Sequence, residues 1–154
     1  MNKRTILLVE DNPDDEALTL RALRKQEIVS EIVVVRDGSE AIDYLFATGT
    51  HDGRDPKQLP HLVLLDLKLP KVDGIGVLLR IRSSEITRLL PVVVLTSSNE
   101  QIDLVKSYIS GANSYVRKPV NFEEFIEVTR QIGLYWLNVN QAAMHYYAPI
   151  RRED

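Results

Sequence analysis

The stretch Leu62-Val63-Leu64-Leu65-Asp66 contains four consecutive apolar residues and ends on an acid. A short run that is apolar at every position predicts a strand buried on both faces of a sheet. Four similar runs occur elsewhere in the chain, at Ile6–Val9, Ile32–Val35, Val92–Leu95 and, more weakly, Ser114–Val116. Because segments with helical spacing separate these runs, we expect a parallel sheet with helices on both faces, a doubly wound α/β fold.

Capping residues mark the predicted helix starts. Asn12 offers an N-cap, Pro13 suits the first helical position, and the two acids that follow lie where the helix dipole favours negative charge. Similar signals occur at Ser98–Gln101 and Asn121–Glu124. The apolar spacing of the fourth helix is carried by Ile102, Val105 and Ile109.

Composition excludes several classes of protein. The 19 Lys and Arg against 22 Asp and Glu give a formal charge of −3, which disfavours binding to nucleic acid. With no cysteine the chain forms no disulfide or thiolate metal site, and we expect a reducing compartment, the cytoplasm. No apolar stretch approaches the roughly 18 residues of a membrane-spanning helix, so we expect no membrane segment.

Polar residues stop the apolar runs where parallel strands would end together. Glu10 and Asp11 follow the first strand, Asp66 the third, Thr96 the fourth and Lys118 the fifth. Each alone has an ordinary structural explanation, but the carboxyl ends of parallel strands meet at one edge, where ligands bind. Three crowded carboxylates repel one another unless a cation neutralises them. An all-oxygen set without histidine or cysteine suggests Mg²⁺.

Five segments follow one another along the chain, and they are Leu7-Leu8-Val9-Glu10-Asp11-Asn12, Leu64-Leu65-Asp66-Leu67-Lys68-Leu69-Pro70, Asp73-Gly74, Leu95-Thr96-Ser97 and Tyr115-Val116-Arg117-Lys118-Pro119. In these segments the chain resembles the receiver domain of bacterial two-component response regulators, over nearly its whole length to about Gly133. Its loop before His61 and its Tyr135-Trp136-Leu137 ending further resemble the stand-alone receivers that pair with bacterial phytochrome kinases.

This resemblance implies a flavodoxin-like sheet of five parallel strands in the order 2-1-3-4-5. It also implies that Asp66 accepts a phosphoryl group from a kinase histidine in a Mg²⁺-dependent reaction and that the protein hydrolyses its own acyl phosphate. Asp11 and Asp66 would bind the ion directly, Glu10 through water, and Lys68 through its backbone carbonyl.

The remaining site residues implied by the resemblance bind the phosphoryl group or respond to it. Lys118 would contact one phosphoryl oxygen, and its bond to Pro119 is a candidate cis peptide. Thr96 would donate a hydrogen bond to another oxygen and move inward, which lets Tyr115 turn from an exposed to a buried rotamer.

The same resemblance shapes our expectations for domains and partners. We expect a receiver domain over residues 1–137 and an extension or tail over 138–154, without a separate output domain. The expected partners are a sensor histidine kinase, of the bacterial phytochrome type, and a downstream protein that the sequence does not identify. We also expect a homodimer through the fourth helix, the fifth strand and the fifth helix, because Tyr135 and Trp136 end that helix.

Two alternative functions are compatible with part of this pattern. A phosphatase of the haloacid-dehalogenase type also uses an aspartate after an apolar strand, but it generally needs a second acid two residues later. Lys68 occupies that position here, and the chain lacks room for a substrate cap. An adaptor that is never phosphorylated is disfavoured because the acids, the hydroxyl and the lysine are all present.

Overall fold

The computed structural model describes residues 4–27 and 29–145 and contains a five-stranded, wholly parallel sheet. The strand order is 2-1-3-4-5, which confirms the predicted fold class and topology. The strands are β1 (Arg4–Val9), β2 (Val29–Val35), β3 (Leu62–Leu65), β4 (Val92–Thr96) and β5 (Ser114–Arg117).

Within the described ranges, five α-helices connect and follow the strands, in agreement with the predicted alternation. They are α1 (Pro13–Arg24), α2 (Gly38–Phe46), α3 (Gly74–Arg82), α4 (Gln101–Ile109) and α5 (Phe122–Leu134). The loop after α2 contains a 3₁₀ turn, Gly49–His51. A π-helical segment, Tyr135–Val139, prolongs α5 past the predicted boundary at residue 137.

The sheet separates two hydrophobic clusters. Within β1, Leu7 and Val9 pack into the cluster that contains buried residues of α2 and α3, whereas Ile6 and Leu8 pack into the cluster that contains buried residues of α1 and α5. Successive side chains of a strand point to opposite faces, so an unbroken apolar run is what this two-sided burial requires.

Helix α4 exists as predicted, but its apolar residues are not core residues. Ile102, Val105 and Ile109 are 56%, 52% and 80% exposed, and Ser107 is the buried residue of the helix. Its N-cap is Glu100, which makes no capping side-chain bond, although the sequence placed a capping signal between Ser98 and Gln101. The side of α4 nearer the core is therefore marked by a serine, and its apolar stripe faces outward.

A single guanidinium ties together the loops at the amino edge of β4. Arg82 Nε donates to the carbonyl of Gly111 (2.8 Å), and Nη1 donates to the carbonyls of Arg88 (2.9 Å) and Leu90 (2.7 Å). Its Nη2 donates to Asn113 Oδ1 (2.9 Å), and burial lowers the pKa of this arginine. The end of α3 is thus fixed to the segments on both sides of β4.

The chain beyond α5 continues across the molecule. Leu137 is buried in the cluster that includes α5 residues, whereas Met144 packs against the cluster on the other face of the sheet. The last nine residues of the expected extension, 146–154, lie outside the described residues. Across the described ranges, no helix is both long and apolar enough to cross a membrane.

We predict that Gly74→Ala destabilises the fold. An added Cβ would lie 2.4 Å from the carbonyl oxygen of Asp66 and 2.7 Å from Cα of Leu67, and backbone atoms cannot yield cheaply. We expect urea denaturation to show a loss of about 1–3 kcal/mol in the free energy of unfolding. Gly76→Ala is the matched control in the same helix, because its Cβ would meet the side chain of Val72. Equal losses for the two variants would contradict this explanation.

Candidate functional site

The carboxyl edge of the sheet gathers ionisable side chains that are mostly withdrawn from water. Glu10, Asp66 and Lys118 are 2%, 7% and 7% exposed, and Thr96 is fully buried, whereas Asp11 is exposed. Each follows or ends a strand of the parallel sheet, so the strands bring these residues to one edge.

Backbone hydrogen bonds continue past the strands and set the alignment of these side chains. The Asp66 N–H donates to the carbonyl of Val9 (3.1 Å), and the Lys118 N–H donates to the carbonyl of Thr96 (2.7 Å). The ladder therefore fixes the positions from which Asp66 and Lys118 extend their side chains.

Lys118 is the centre of the charge cluster. Its Nζ lies 2.7 Å from Glu10 Oε2, 2.8 Å from Asp15 Oδ2 and 2.9 Å from Asp66 Oδ2. An ammonium group has three N–H donors, so each carboxylate can accept one of them. The buried ammonium is fully hydrogen-bonded by acids from β1, α1 and β3 or the residues that follow them.

Three of the acids also form a group that can hold a metal ion. Oxygen atoms from Glu10, Asp11 and Asp66 lie within 4.8 Å of one another. The second oxygens of the two buried acids accept backbone N–H bonds, Asp66 Oδ1 from Leu67 (2.7 Å) and Glu10 Oε1 from Asn12 (3.1 Å). A set made only of carboxylate oxygens fits a hard divalent cation.

Burial and neighbouring charges shift the titration of the two innermost groups. Burial raises the pKa of Glu10 to about 7; the hydrogen bond and charge of Lys118 oppose the rise, and the charge of Asp66 adds to it. For Lys118, burial disfavours the ammonium, but Asp66, Asp15 and Glu10 together outweigh burial and raise its pKa above the usual value. Lys118 therefore stays protonated at neutral pH.

Ser98 connects the two predicted switch residues to α4. Its N–H donates to Thr96 Oγ1 (3.4 Å), and its carbonyl accepts a hydrogen bond from the Tyr115 hydroxyl (3.2 Å). Its own hydroxyl donates to Asp103 Oδ2 (2.5 Å), in the first turn of α4. Tyr115 is half-buried, and burial raises its pKa. A displacement of Thr96 would therefore reach Tyr115 and α4 through one residue.

The structure brings four predicted site residues together, since Lys118 contacts Glu10 and Asp66, and both acids group with Asp11. The Thr96 hydroxyl accepts a hydrogen bond from the Ser98 N–H. Lys68, two residues after Asp66, is exposed.

The cis prediction for the Lys118–Pro119 bond is wrong for this structure. All peptide bonds among residues 4–27 and 29–145 are trans. Trans is the lower-energy isomer of an X–Pro bond by about 0.5–1 kcal/mol, and the Lys118 side chain reaches all three carboxylates from the trans backbone.

Sequence reasoning missed Asp15 as a site residue. The sequence indicates only a helix-dipole role for this acid, although α1 begins at the carboxyl edge of the sheet and Asp15 in its first turn contacts Lys118. At Ser98 the sequence likewise indicates only a helix cap. For Asp15 the available signal was an acid in the turn next to Glu10 and Asp11; for Ser98 no sequence signal distinguishes its role from capping.

Comparisons with known proteins place the chain in one family. The family model described as "Response regulator receiver domain" matches residues 6–130. The probable methanogenesis regulatory protein FilR2 of Methanothrix harundinacea is 44% identical over 89% of this chain and 86% of its own length. The response regulator Rcp1 of Synechocystis is 37% identical over 87% of this chain and 89% of its own length.

Solved structures of response regulators superpose on this chain over most of its length. The phosphorylated cyanobacterial phytochrome response regulator RcpA superposes with a TM-score of 0.86, at 37% identity, over 92% of this chain and 99% of its own. The Mn²⁺-bound form of Rcp1 superposes with a TM-score of 0.84, at 34% identity, over 90% of this chain and 98% of its own.

We predict that Lys118→Met destabilises the metal-free protein. Methionine removes the cation that compensates three carboxylates, and the loss of one partner from a buried ion pair typically costs about 3 kcal/mol or more. Urea denaturation in chelator should show this loss in the free energy of unfolding, and added Mg²⁺ should recover part of it. Lys106→Met, at an exposed position on α4, should change stability by less than about 0.5 kcal/mol. Equal effects of the two substitutions would refute the role assigned to Lys118.

Proposed function

The chain belongs to the response regulator receiver family, and from that premise we propose that it accepts a phosphoryl group from a sensor histidine kinase onto Asp66. One observation carries the assignment to this residue. Asp66 is the acid that both contacts the buried Lys118 ammonium (2.9 Å) and belongs to the metal-competent group with Glu10 and Asp11.

The proposed reaction is a direct transfer between two side chains. A carboxylate oxygen of Asp66 forms a bond to phosphorus as the phosphorus–nitrogen bond of a phosphohistidine breaks. The electron pair of the broken bond stays with the imidazole nitrogen. Such a transfer needs positioning and charge stabilisation more than covalent assistance. The hydrogen bond from Leu67 N–H holds the Asp66 carboxylate in place for attack.

We propose Mg²⁺ as the cofactor. Asp11 and Asp66 would bind it directly, Glu10 through water, and the backbone carbonyl of Lys68 would supply another oxygen. When bound, the ion supplies positive charge to the phosphoryl oxygens. The acid cluster and the Mn²⁺-bound form of Rcp1 support a divalent ion, and the preference of Mg²⁺ for phosphate oxygens supports this choice among such ions.

Lys118 and Thr96 would complete the phosphoryl site. The Lys118 ammonium would bind one phosphoryl oxygen as a point charge, and the Thr96 hydroxyl would bond another. Because Ser98 N–H contacts Thr96 Oγ1 and the Ser98 carbonyl contacts Tyr115, inward movement of Thr96 would loosen the Tyr115 hydroxyl and let the ring turn inward. The altered surface would be that of α4, β5 and α5.

The protein would end its own signal by hydrolysing the acyl phosphate, and it would act on partner proteins rather than turn over a small substrate. We propose residues 1–137 as the receiver domain and 138–154 as an extension or tail. The family model, which matches residues 6–130, supports a receiver domain in this region. The absence of cysteine and the family support a cytoplasmic location.

A bacterial phytochrome kinase is the phosphodonor that we propose. RcpA is named as the response regulator of a cyanobacterial phytochrome, and it matches this chain across 99% of its own length. Comparison of transfer rates from purified phytochrome and non-phytochrome kinases tests this pairing. Faster transfer from an unrelated kinase would exclude it.

We predict one phosphoryl group per chain after incubation with acetyl phosphate and Mg²⁺, measured as a mass increase of the intact protein. Asp66→Asn should abolish the label because it removes the nucleophilic carboxylate, and chelation of Mg²⁺ should reduce it strongly. Asp73→Asn is the matched control, since Asp73 caps α3 through an oxygen that asparagine retains. Tyr115→Phe should also keep the label. Normal labelling of Asp66→Asn would show that another residue is the acceptor.

We predict a homodimer formed through α4, β5 and α5. The outward apolar stripe of α4 gives this face the apolar surface that interfaces use, and Tyr135, directly after α5, is half exposed. Light scattering should show the dimer, with Ile109→Glu shifting it to monomer without loss of fold, since Ile109 is 80% exposed. A wild-type monomer both before and after phosphorylation would rule out this interface.

A further inference from the structure

Asp15 has a place in the site that the proposed function does not use. It lies in the first turn of α1 and contacts Lys118 at 2.8 Å, but it is not part of the metal-competent acid group. Its side chain is 26% exposed, against 3% for Glu10 and 8% for Asp66. The ammonium therefore has two deeply buried partners and one partner at the rim.

A phosphoryl group can bond Lys118 only in exchange for an existing partner. The three ammonium N–H groups already have three carboxylate acceptors, and an ammonium has no fourth donor. A phosphoryl oxygen that approaches Asp66 therefore competes with acids that already neutralise the lysine. The strength of that competition sets how readily the site accepts a phosphoryl group.

Of the three contacts of Lys118, the one with the partly exposed Asp15 is the easiest to break. Glu10 is fixed a second time by the Asn12 N–H, and Asp66 by the Leu67 N–H. The contact between Asp15 and Lys118 joins residues 103 positions apart, and water can replace the lysine at a partly exposed carboxylate. Charge pairs at partly exposed positions are weaker than buried pairs.

Resting on the proposed function, we propose that Asp15 is a positioning residue that restrains Lys118. In the unphosphorylated protein Asp15 holds the ammonium against α1 and lowers the affinity of the site for a phosphoryl group. Loading of Asp66 is then favoured when the contact between Lys118 and Asp15 opens. Asp15 acts through the lysine and does not contact the phosphoryl group.

The test measures the affinity of the full chain for beryllofluoride, a stable mimic of a phosphoryl group, in saturating Mg²⁺ by fluorine NMR. Asp15→Asn should tighten binding roughly three- to tenfold, because a charged acceptor that competes for Lys118 is lost. Asp15→Glu should return the affinity toward wild type, since it restores a carboxylate. Asp14→Asn is the matched control: it removes the same charge from the same helix turn, at an exposed residue without a contact to Lys118.

A double-mutant cycle separates action through Lys118 from a simple change of charge. In the Lys118→Met background, Asp15→Asn should alter beryllofluoride affinity less than about twofold. The Mg²⁺ affinity of Asp15→Asn, measured by calorimetry, should stay close to that of wild type. Damage to the fold would instead weaken the binding of both Mg²⁺ and beryllofluoride.

Three results would overturn the inference. They are unchanged or weaker binding by Asp15→Asn, equal tightening by Asp14→Asn, and undiminished tightening in the Lys118→Met background. Each leaves the phosphoacceptor role of Asp66 intact. If wild type itself fails to bind beryllofluoride, the proposed function fails together with the inference.

Discussion

The structure depends on how buried carboxylates are compensated at the carboxyl edge of the sheet. Glu10 and Asp66 are almost inaccessible, and carboxylates so placed are costly unless a cation is present. In this structure the cation is the Lys118 ammonium, and its three hydrogen bonds close a ring of acids that comes from three separate elements. The proposed divalent ion and phosphoryl group would each change the charge balance that the lysine maintains.

The apolar strands make this cluster possible. Because both faces of the central strands are covered, the sheet has no solvated face on which acids could spread apart. The strand ends are the first positions where polar groups can sit, and parallel order places several of those ends together. The buried sheet and the polar site are therefore two results of one pattern in the sequence.

The sequence was sufficient for the fold and for the acids that terminate the strands. The five apolar runs specify β1 to β5, and Glu10, Asp66 and Lys118 lie where the strand ends bring them. It was not sufficient for Asp15, because the same residue is a normal first-turn acid and its contact with Lys118 joins residues 103 positions apart. Nor was it sufficient to tell which side of α4 faces the core, since helical spacing reveals an apolar stripe but not whether the domain or a partner covers it.

The four hydrogen bonds of Arg82 bear on how movement would spread through the molecule. They clamp the amino edge of β4 to the end of α3 and to the loop before β5. At the carboxyl end of β4, Ser98 contacts both Thr96 and the first turn of α4. Between its two ends β4 is paired on both sides, with β3 and with β5. A displacement of Thr96 would therefore be passed through Ser98 to α4 more readily than back along the paired strand to the loops that Arg82 fixes.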